Sequence, residues 1–564
     1  MEEIKSNLTE YTFPKLMEYS TKKFAKRPCL GLVGQKALTY EEVCNKSKFV
    51  SKLLRFYGLK EGDKVALYSN GRPQFGISYF GIVNTKMISV PLLPDFSASE
   101  VEIFLDHCGV QALIVEERLY AKLKKIEEKL PSLIINIEDF SIIKGKEYTA
   151  EEVEKVELPA LKIEENDTAS IIYTSGTTGR SKGVELSHKN LVWSAVSGQC
   201  VHVVKPKDVC LSFLPISHVY EFSVGFTMQY YFGSSVYYLG KPPVVSALLP
   251  AFKKIKPTIV LSVPLIIEKI YKSKILPTLN SEKIKKLYSK KFFKKIINKK
   301  IGKTLIKTFG GRLNFFGVGG SKMDSEIEQF LKDIKFPYAI GYGLTETSPL
   351  LAGSGPEITV PGCLGPCVTG VDVKIINKNE EGIGEIVAKG PNVMKGYYKD
   401  EELTKVVFTT QKDECGPGYF KTGDLGVLDA DNKLYMKGRL KNMILGSSGE
   451  NIYPEDIEFV LNQHPFINES LVLQDEGKLV ALVTLEDIAK NIGNAIKDIL
   501  DFINKKVNRS SRITKVEVVP EFEHTASKKI RRYLYPKKNT QAKNDESKKA
   551  ESEVKKESGE NKKN

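Results

Sequence analysis

Short apolar runs separated by longer stretches of mixed polarity set the rhythm of this chain. KVALYS (64–69), ALIVEE (112–117), ASIIYT (169–174) and PTIVLSV (257–263) have strand length, and between such runs lie helical patterns such as EEVCNKSKFVSKLLRFYG (41–58). That alternation predicts an α/β protein. The texture changes near Lys437–Lys441. Beyond it, a segment of about 95 residues carries its own strands (SLVLQD, LVALVTL, VEVVP) and helices (EDIEFVLNQ, AIKDILDFINKKV), enough for a separate small α+β domain. From Pro536 the chain turns to KKNTQAKNDESKKAESEVKKESGENKKN, where Val554 is the only large aliphatic residue and ordering entropy has nothing to offset it. The expected organisation is a large N-terminal domain over 1–437, a small domain over 438–535 and a disordered tail over 536–564. No fixed-period repeat interrupts this scheme.

Length and composition narrow the class. With 564 residues the chain has room for several structural units, and its 41% hydrophobic and 27% charged content is that of a globular protein. No apolar stretch approaches the roughly 20 residues that span a bilayer. The opening MEEIKSNLTEYTF has acids where a secretory leader has cations, so the cytoplasm is the expected location. Eight scattered cysteines have neither the density nor the spacing of a disulfide framework, and Cys363 and Cys367 have no second ligand pair nearby for a metal.

The formal net charge of +15 invites nucleic-acid or anionic-membrane readings, and its distribution matters. Residues 269–308 hold fourteen lysines against the single acid Glu282. Within them Ile284, Leu287, Tyr288, Phe292, Ile296, Ile297 and Ile301 recur at spacings that fit one side of a helix with lysines elsewhere. Two readings follow: a solvated basic insertion packed on its own domain, or a basic amphipathic helix lying on the inner face of an anionic membrane. No RRM, zinc finger or helix-turn-helix accompanies the charge, so a nucleic-acid partner is not expected.

The most informative segment is ASIIYTSGTTGRSKGVELSHKNL (169–191). An apolar strand runs into Thr174, Ser175, Gly176, Thr177, Thr178, Gly179, Arg180, Ser181, Lys182 and Gly183. Glycines let successive amides curl around an anion, while the hydroxyls and Lys182 add donors and charge, which suits a polyphosphate. The alternative is a Ser/Thr/Gly surface linker. The common mononucleotide pattern GxxxxGK[ST] does not fit, since Gly183 follows Lys182.

TSGTTGRSKG resembles the signature loop of the adenylate-forming superfamily, which includes acyl-CoA synthetases, aryl-CoA ligases, luciferases and peptide-synthetase adenylation domains. The resemblance continues in order through YGLTE (342–346), GEIVAKGPNVMKGYY from Gly384, YFKTGD ending at Asp424, GRLK (438–441) and TASKKIRR from Thr525, covering about residues 10–535. It implies a large N-terminal domain of packed sheets flanked by helices with a small, mobile C-terminal domain. It also implies a two-step reaction: a carboxylate attacks the α-phosphorus of ATP to give acyl-AMP and pyrophosphate, then a thiol displaces AMP.

The resemblance distributes roles along the chain. Lys529 is matched to the lysine that neutralises charge at the crowded phosphorus. The family commonly has Gly before this lysine where this chain has Lys528, so the assignment stands open by one residue, with Thr525 and Ile530 favouring Lys529. Tyr342, with Gly343 beside it, is matched to the aromatic stacked on adenine, Thr345 to a residue near the α-phosphate, and Glu346 to the Mg²⁺ ligand. GGSK (319–322) matches a glycine-rich strand end lining the adenine and acyl site, through Gly320 and Ser321, although Ser321 and Lys322 replace the family's usual small residue and proline. Asp424 and Arg439 are matched to the ribose contacts and Lys441 to the hinge about which the small domain turns.

LPISHVYEF (214–222), with His218 against the acyl site, and ILGSSGENIYPEDIE from Ile444 look most like the long-chain fatty acyl members. The resemblance therefore implies a long-chain fatty acid:CoA ligase using ATP, Mg²⁺ and CoA. Acyl carrier protein as acceptor, or an aryl or medium-chain acid, remain alternatives. A catalytically inactive nucleotide sensor and a nucleic-acid-binding protein are the readings from other classes.

Overall fold

In the computed structural model the apolar runs become central strands of two eight-stranded sheets. The structure describes residues 4–174, 181–445, 451–475, 477–486, 492–525 and 529–535. The tail expected over 536–564 lies outside the described residues.

One sheet is ordered Gly396–Tyr397, Lys182–Ser187, Thr168–Thr174, Ile88–Leu92, Lys64–Tyr68, Ala112–Val115, Leu133–Asn136, Ile142–Lys144. Its five central strands, from Thr168–Thr174 to Leu133–Asn136, pair in parallel. Strands buried on both faces read as continuous apolar runs, and Ala112–Val115 is buried at every position. The second sheet is ordered Leu350–Ser354, Tyr338–Gly343, Phe315–Val318, Ile259–Ser262, Val209–Ser212, Ser235–Tyr238, Pro28–Leu32, Leu38–Thr39, again parallel at its centre and antiparallel at its ends.

The helix Tyr40–Phe56 starts where the sequence supplies a capping box: the Thr39 hydroxyl accepts from the Glu42 amide and the Glu42 carboxylate accepts from the Thr39 amide. It helps fill the largest apolar cluster, which draws on both eight-stranded sheets through Leu30, Val65, Phe80, Leu191 and Tyr230. A third sheet of five strands, antiparallel throughout, carries Phe420–Leu428 beside Lys433–Arg439 and so sets Asp424 opposite Arg439.

Beyond Ile444 the apolar residues form their own cluster, from Ile444 and Ile457 to Ile499 and Val516. It joins the sheet Ile467–Asp475, Lys478–Leu485, Ile513–Val518 to the helices Pro454–Leu461 and Ile492–Lys506. The molecule is thus a sheet-rich α/β body with a smaller α+β unit at its C-terminal end.

The basic segment departs from the single amphipathic face expected of it. It folds as Glu282–Tyr288 and Lys291–Thr308, with a break at Ser289–Lys290. Ile284, Tyr288, Ile297 and Ile301 turn inward against the cluster around Phe316 and Phe330. Leu287, Phe292 and Ile296 turn outward. The break and the rotation of the second helix, set by its buried residues Asn298, Gly302 and Leu305, separate the two apolar sets.

Candidate active site

Thr174 and Lys182 face each other as antiparallel partners, so the loop between them leaves and re-enters the sheet at one point. Ser175, Gly176, Thr177, Thr178, Gly179 and Arg180 of that loop lie outside the described residues. At its foot the Lys182 ammonium sits 4.8 Å from the centre of the Tyr397 ring. Burial lowers its pKa; the Glu346 carboxylate opposes that shift and the Lys441 ammonium adds to it. Glu346 stands on the short turn Thr345–Thr347 and accepts a 3.0 Å hydrogen bond from the Tyr397 hydroxyl on Oε1.

The backbone that delivers Tyr342, Thr345 and Glu346 leaves no freedom at Gly343. A Cβ there would stand 1.6 Å from the Pro349 carbonyl oxygen, so only glycine permits this approach. Tyr342 is buried, and its hydroxyl donates to Asp424 Oδ2 at 2.9 Å. Asp424 is 2% exposed, and its Oδ1 lies 3.2 Å from Arg439 Nε. Burial raises the Asp424 pKa, while Arg439, the Tyr342 hydroxyl and Lys529 act against the rise.

Lys529 reaches this group from the C-terminal unit. The residue keeps exposed surface; desolvation lowers its pKa, the Arg439 guanidinium lowers it further, and Asp424 and Glu346 raise it. His218 feels the same lysine. Burial first and Lys529 second push its pKa down to about 4, so its ring is neutral at physiological pH. His218 Nδ1 accepts from the Tyr220 amide at 3.3 Å, which places the remaining ring proton on Nε2.

Tyr220 also lines a small cavity of about 40 Å³ between the second large sheet and the helical turns at Gly198 and Met228. Its wall includes Val201, Leu261, Phe315, Val318 and Leu350, with His202 and Gln229 as its other polar side chains. His202 stacks on Phe315 with ring centres 4.3 Å apart, and burial lowers its pKa. None of the described lining residues carries a charge. Gly320, in the left-handed region at φ +94°, lies two residues past the strand Phe315–Val318 that forms one wall, and exposed Ser321 follows it.

Thus Lys529 couples Glu346, which also faces Lys182 near Lys441, to Asp424, Arg439 and His218, with Tyr342 bonded to Asp424 and Gly343 and Thr345 in the backbone between Tyr342 and Glu346. Sequence reading missed several participants. Tyr397 sits in the GYY of the quoted GPNVMKGYY string, with no cue to its bond with Glu346. Lys322 stands out in the sequence only as a departure from proline; its ammonium bonds Asp456 Oδ1 at 2.6 Å, from the body to the C-terminal unit, and lies 5.2 Å from the Phe459 ring. Arg532 clamps Glu458 at 2.6 and 2.7 Å and donates to the Val472 carbonyl, tying the segment that carries Lys529 to its unit.

A Mg²⁺ ion fits Glu346. Among the described residues no cluster of three ligand side chains exists, and a carboxylate with one oxygen engaged by Tyr397 suits a hard cation that takes most of its ligands from phosphate and water.

The chain matches the AMP-binding enzyme family over residues 17–398. It is 29% identical to long chain acyl-CoA synthetase 7, peroxisomal, of Arabidopsis thaliana over 81% of this chain and 70% of that protein. It is 28% identical to 4-coumarate–CoA ligase CCL1 of Humulus lupulus over 91% of each. The o-succinylbenzoate coenzyme A synthetase MenE of Bacillus subtilis, solved with ATP and magnesium ion, superposes with a TM-score of 0.72 at 22% identity, covering 92% of this chain and 98% of that one.

Proposed function

The chain belongs to the AMP-binding enzyme family, and from that premise we propose that it is a fatty acid:CoA ligase with a long-chain substrate, working through acyl-AMP. The observation that carries this reading is the convergence of Lys529, Arg439, Lys182 and Lys441 with Asp424 and Glu346 beside an uncharged, apolar cavity.

ATP binds with its adenine against Tyr342 and its ribose hydroxyls on Asp424, which Tyr342 and Arg439 hold in place. Its phosphates extend toward Lys182 and the loop from Thr174. The acid lies with its carboxylate near His218 and its chain directed toward the cavity that Tyr220 lines. Carboxylate oxygen attacks the α-phosphorus, the bond to the pyrophosphate oxygen breaks, and the Lys529 ammonium stabilises the extra negative charge. The neutral His218 ring offers its Nε2 proton to an oxygen of the acid or the phosphoryl group without adding charge. Mg²⁺ held by Glu346 supplies charge neutralisation across the phosphates when bound. In the second step the small unit turns at Lys441, Lys529 withdraws, and the CoA thiolate attacks the acyl carbon as AMP leaves.

The fatty acid reading is supported by the long-chain synthetase relatives and by the lack of charge on the described cavity wall, where an amino acid substrate would need a carboxylate for its ammonium. A second reading, an aryl acid, is favoured by the 4-coumarate ligases, one of which this chain matches over 91% of its length, and by the flat His202–Phe315 stack. A pyrophosphate-release screen across straight-chain acids of graded length and 4-coumarate, with CoA or acyl carrier protein as acceptor, decides. Turnover rising with chain length and requiring CoA is expected. Turnover confined to aryl acids would overturn the fatty acid assignment.

A further inference from the structure

The basic helix pair presents a surface that adenylation does not use. At 100° per residue, Phe292, Ile296, Lys299, Lys303 and Lys307 share one side of the Lys291–Thr308 helix, with Phe293, Lys295 and Lys300 flanking them. The opposite side, Asn298, Gly302 and Leu305, is buried. A Cβ on Gly302 would come 2.1 Å from the Ile334 carbonyl oxygen, so the helix backbone lies directly on the body. The Tyr288 hydroxyl donates to Asn298 Oδ1 at 2.8 Å, and the Lys294 ammonium lies 5.5 Å from the Tyr288 ring, fixing the elbow between the helices. The outward face is therefore held in one orientation.

That face combines two features that water alone does not favour. Phe292 is 71% exposed and Ile296 50%, with Phe293 and Leu287 each at 39%. Around them residues 282–308 carry eleven lysines and one acid. Lys294 pairs with Asp333; among the described residues no carboxylate pairs with Lys295, Lys299, Lys300, Lys303 or Lys307.

We propose that this face docks the protein onto an anionic phospholipid bilayer, with Phe292, Phe293, Ile296 and Leu287 entering the interface and the lysines meeting the headgroups. The charge decides among occupants. A second copy offering the same face would bring unpaired lysines against unpaired lysines, so face-to-face pairing is repulsive. A nucleic acid would satisfy the lysines and leave the apolar side chains in water. A bilayer surface accommodates both at once, aromatic rings at the headgroup boundary and cations above it. Each lysine close to an anionic surface contributes about fivefold in binding before screening. The inference does not depend on which acid the cavity takes.

The test is co-sedimentation of the full chain, without substrates, with phosphatidylcholine vesicles and with vesicles also containing phosphatidylglycerol, at low and high salt. Wild type is expected to bind the anionic vesicles at least about tenfold more strongly than the neutral ones, with affinity falling as salt rises. Phe292→Ala with Ile296→Ala, and separately Lys295, Lys299, Lys303 and Lys307→Gln, should each lose about tenfold or more, with circular dichroism unchanged. Absence of binding, or binding that neither variant alters, overturns the proposal. Binding to duplex DNA as tight as to vesicles, lost only in the lysine variant, would mean a polyanion site instead. Self-association by sedimentation velocity, lost in the Phe292 and Ile296 variant, would mean a contact between copies. Because binding is read without turnover, it stands or falls separately from the ligase assignment.

Discussion

The contact between Lys322 and Asp456 joins the body to the unit that carries Lys529, so it should bias the domains toward the arrangement that forms acyl-AMP. Both side chains are well exposed, at 39% and 43%, so the ion pair contributes only about 0.2–1 kcal/mol. The approach of the same ammonium to Phe459 adds about 0.5 kcal/mol. Removing both with Lys322→Ala should therefore shift the balance between domain orientations by roughly 1 kcal/mol, or about fivefold. Adenylation read by ATP–pyrophosphate exchange should fall by about that factor. Thioester formation from presynthesised acyl adenylate should hold or rise, because it uses the other orientation. The paired exchange Lys322→Asp with Asp456→Lys should restore adenylation, which a direct role of Lys322 in binding the acid would not allow. Equal losses in both half-reactions, or failure of the exchanged pair to rescue, would refute the latch.

Two further outcomes follow from other parts of the cleft. Arg532→Ala leaves the Glu458 carboxylate, 12% exposed, without its guanidinium, and should destabilise the C-terminal unit by about 3 kcal/mol; thermal unfolding should show an earlier transition, and an unchanged profile would contradict the clamp. The adenylation rate needs Lys529 protonated, and burial beside Arg439 lowers its pKa from 10.5, so the rate should fall with rising pH at values below those of a free lysine. His218, neutral down to about 4, should add no break near 6.5, and pH–rate profiles of the two half-reactions separate these effects, since the alkaline fall belongs to adenylation alone.

Much of the framework was legible because parallel strands buried on both faces announce themselves as apolar runs. KVALYS, ALIVEE, ASIIYT and PTIVLSV coincide to within a residue or two with the strands Lys64–Tyr68, Ala112–Val115, Thr168–Thr174 and Ile259–Ser262. The helix read from EEVCNKSKFVSKLLRFYG forms with its own cap, and the elements expected after Lys441 appear in order. Contacts across the chain left no such trace. The bond from Tyr342 to Asp424 spans 82 positions and that from Lys322 to Asp456 spans 134, distances over which local pattern carries no signal. The basic segment misled for a related reason. Its apolar residues keep helical spacing, but a break at Ser289–Lys290 and packing of Gly302 on Ile334 decide which of them face inward. The resemblance to a family named single residues such as Lys529 and Lys441, while the contacts of Tyr397 and Arg532 emerged only from the geometry.

The central claim is that a cation carried by the C-terminal unit enters a cleft of the body to drive acyl-AMP formation. The most direct measurement is isotopic ATP–pyrophosphate exchange, dependent on an apolar acid, in wild type and Lys529→Ala, beside thioester formation from presynthesised acyl adenylate in the same preparations. The account predicts exchange lowered by roughly a hundredfold or more in the variant, with thioester formation from the adenylate largely retained. Near-normal exchange by Lys529→Ala would contradict it.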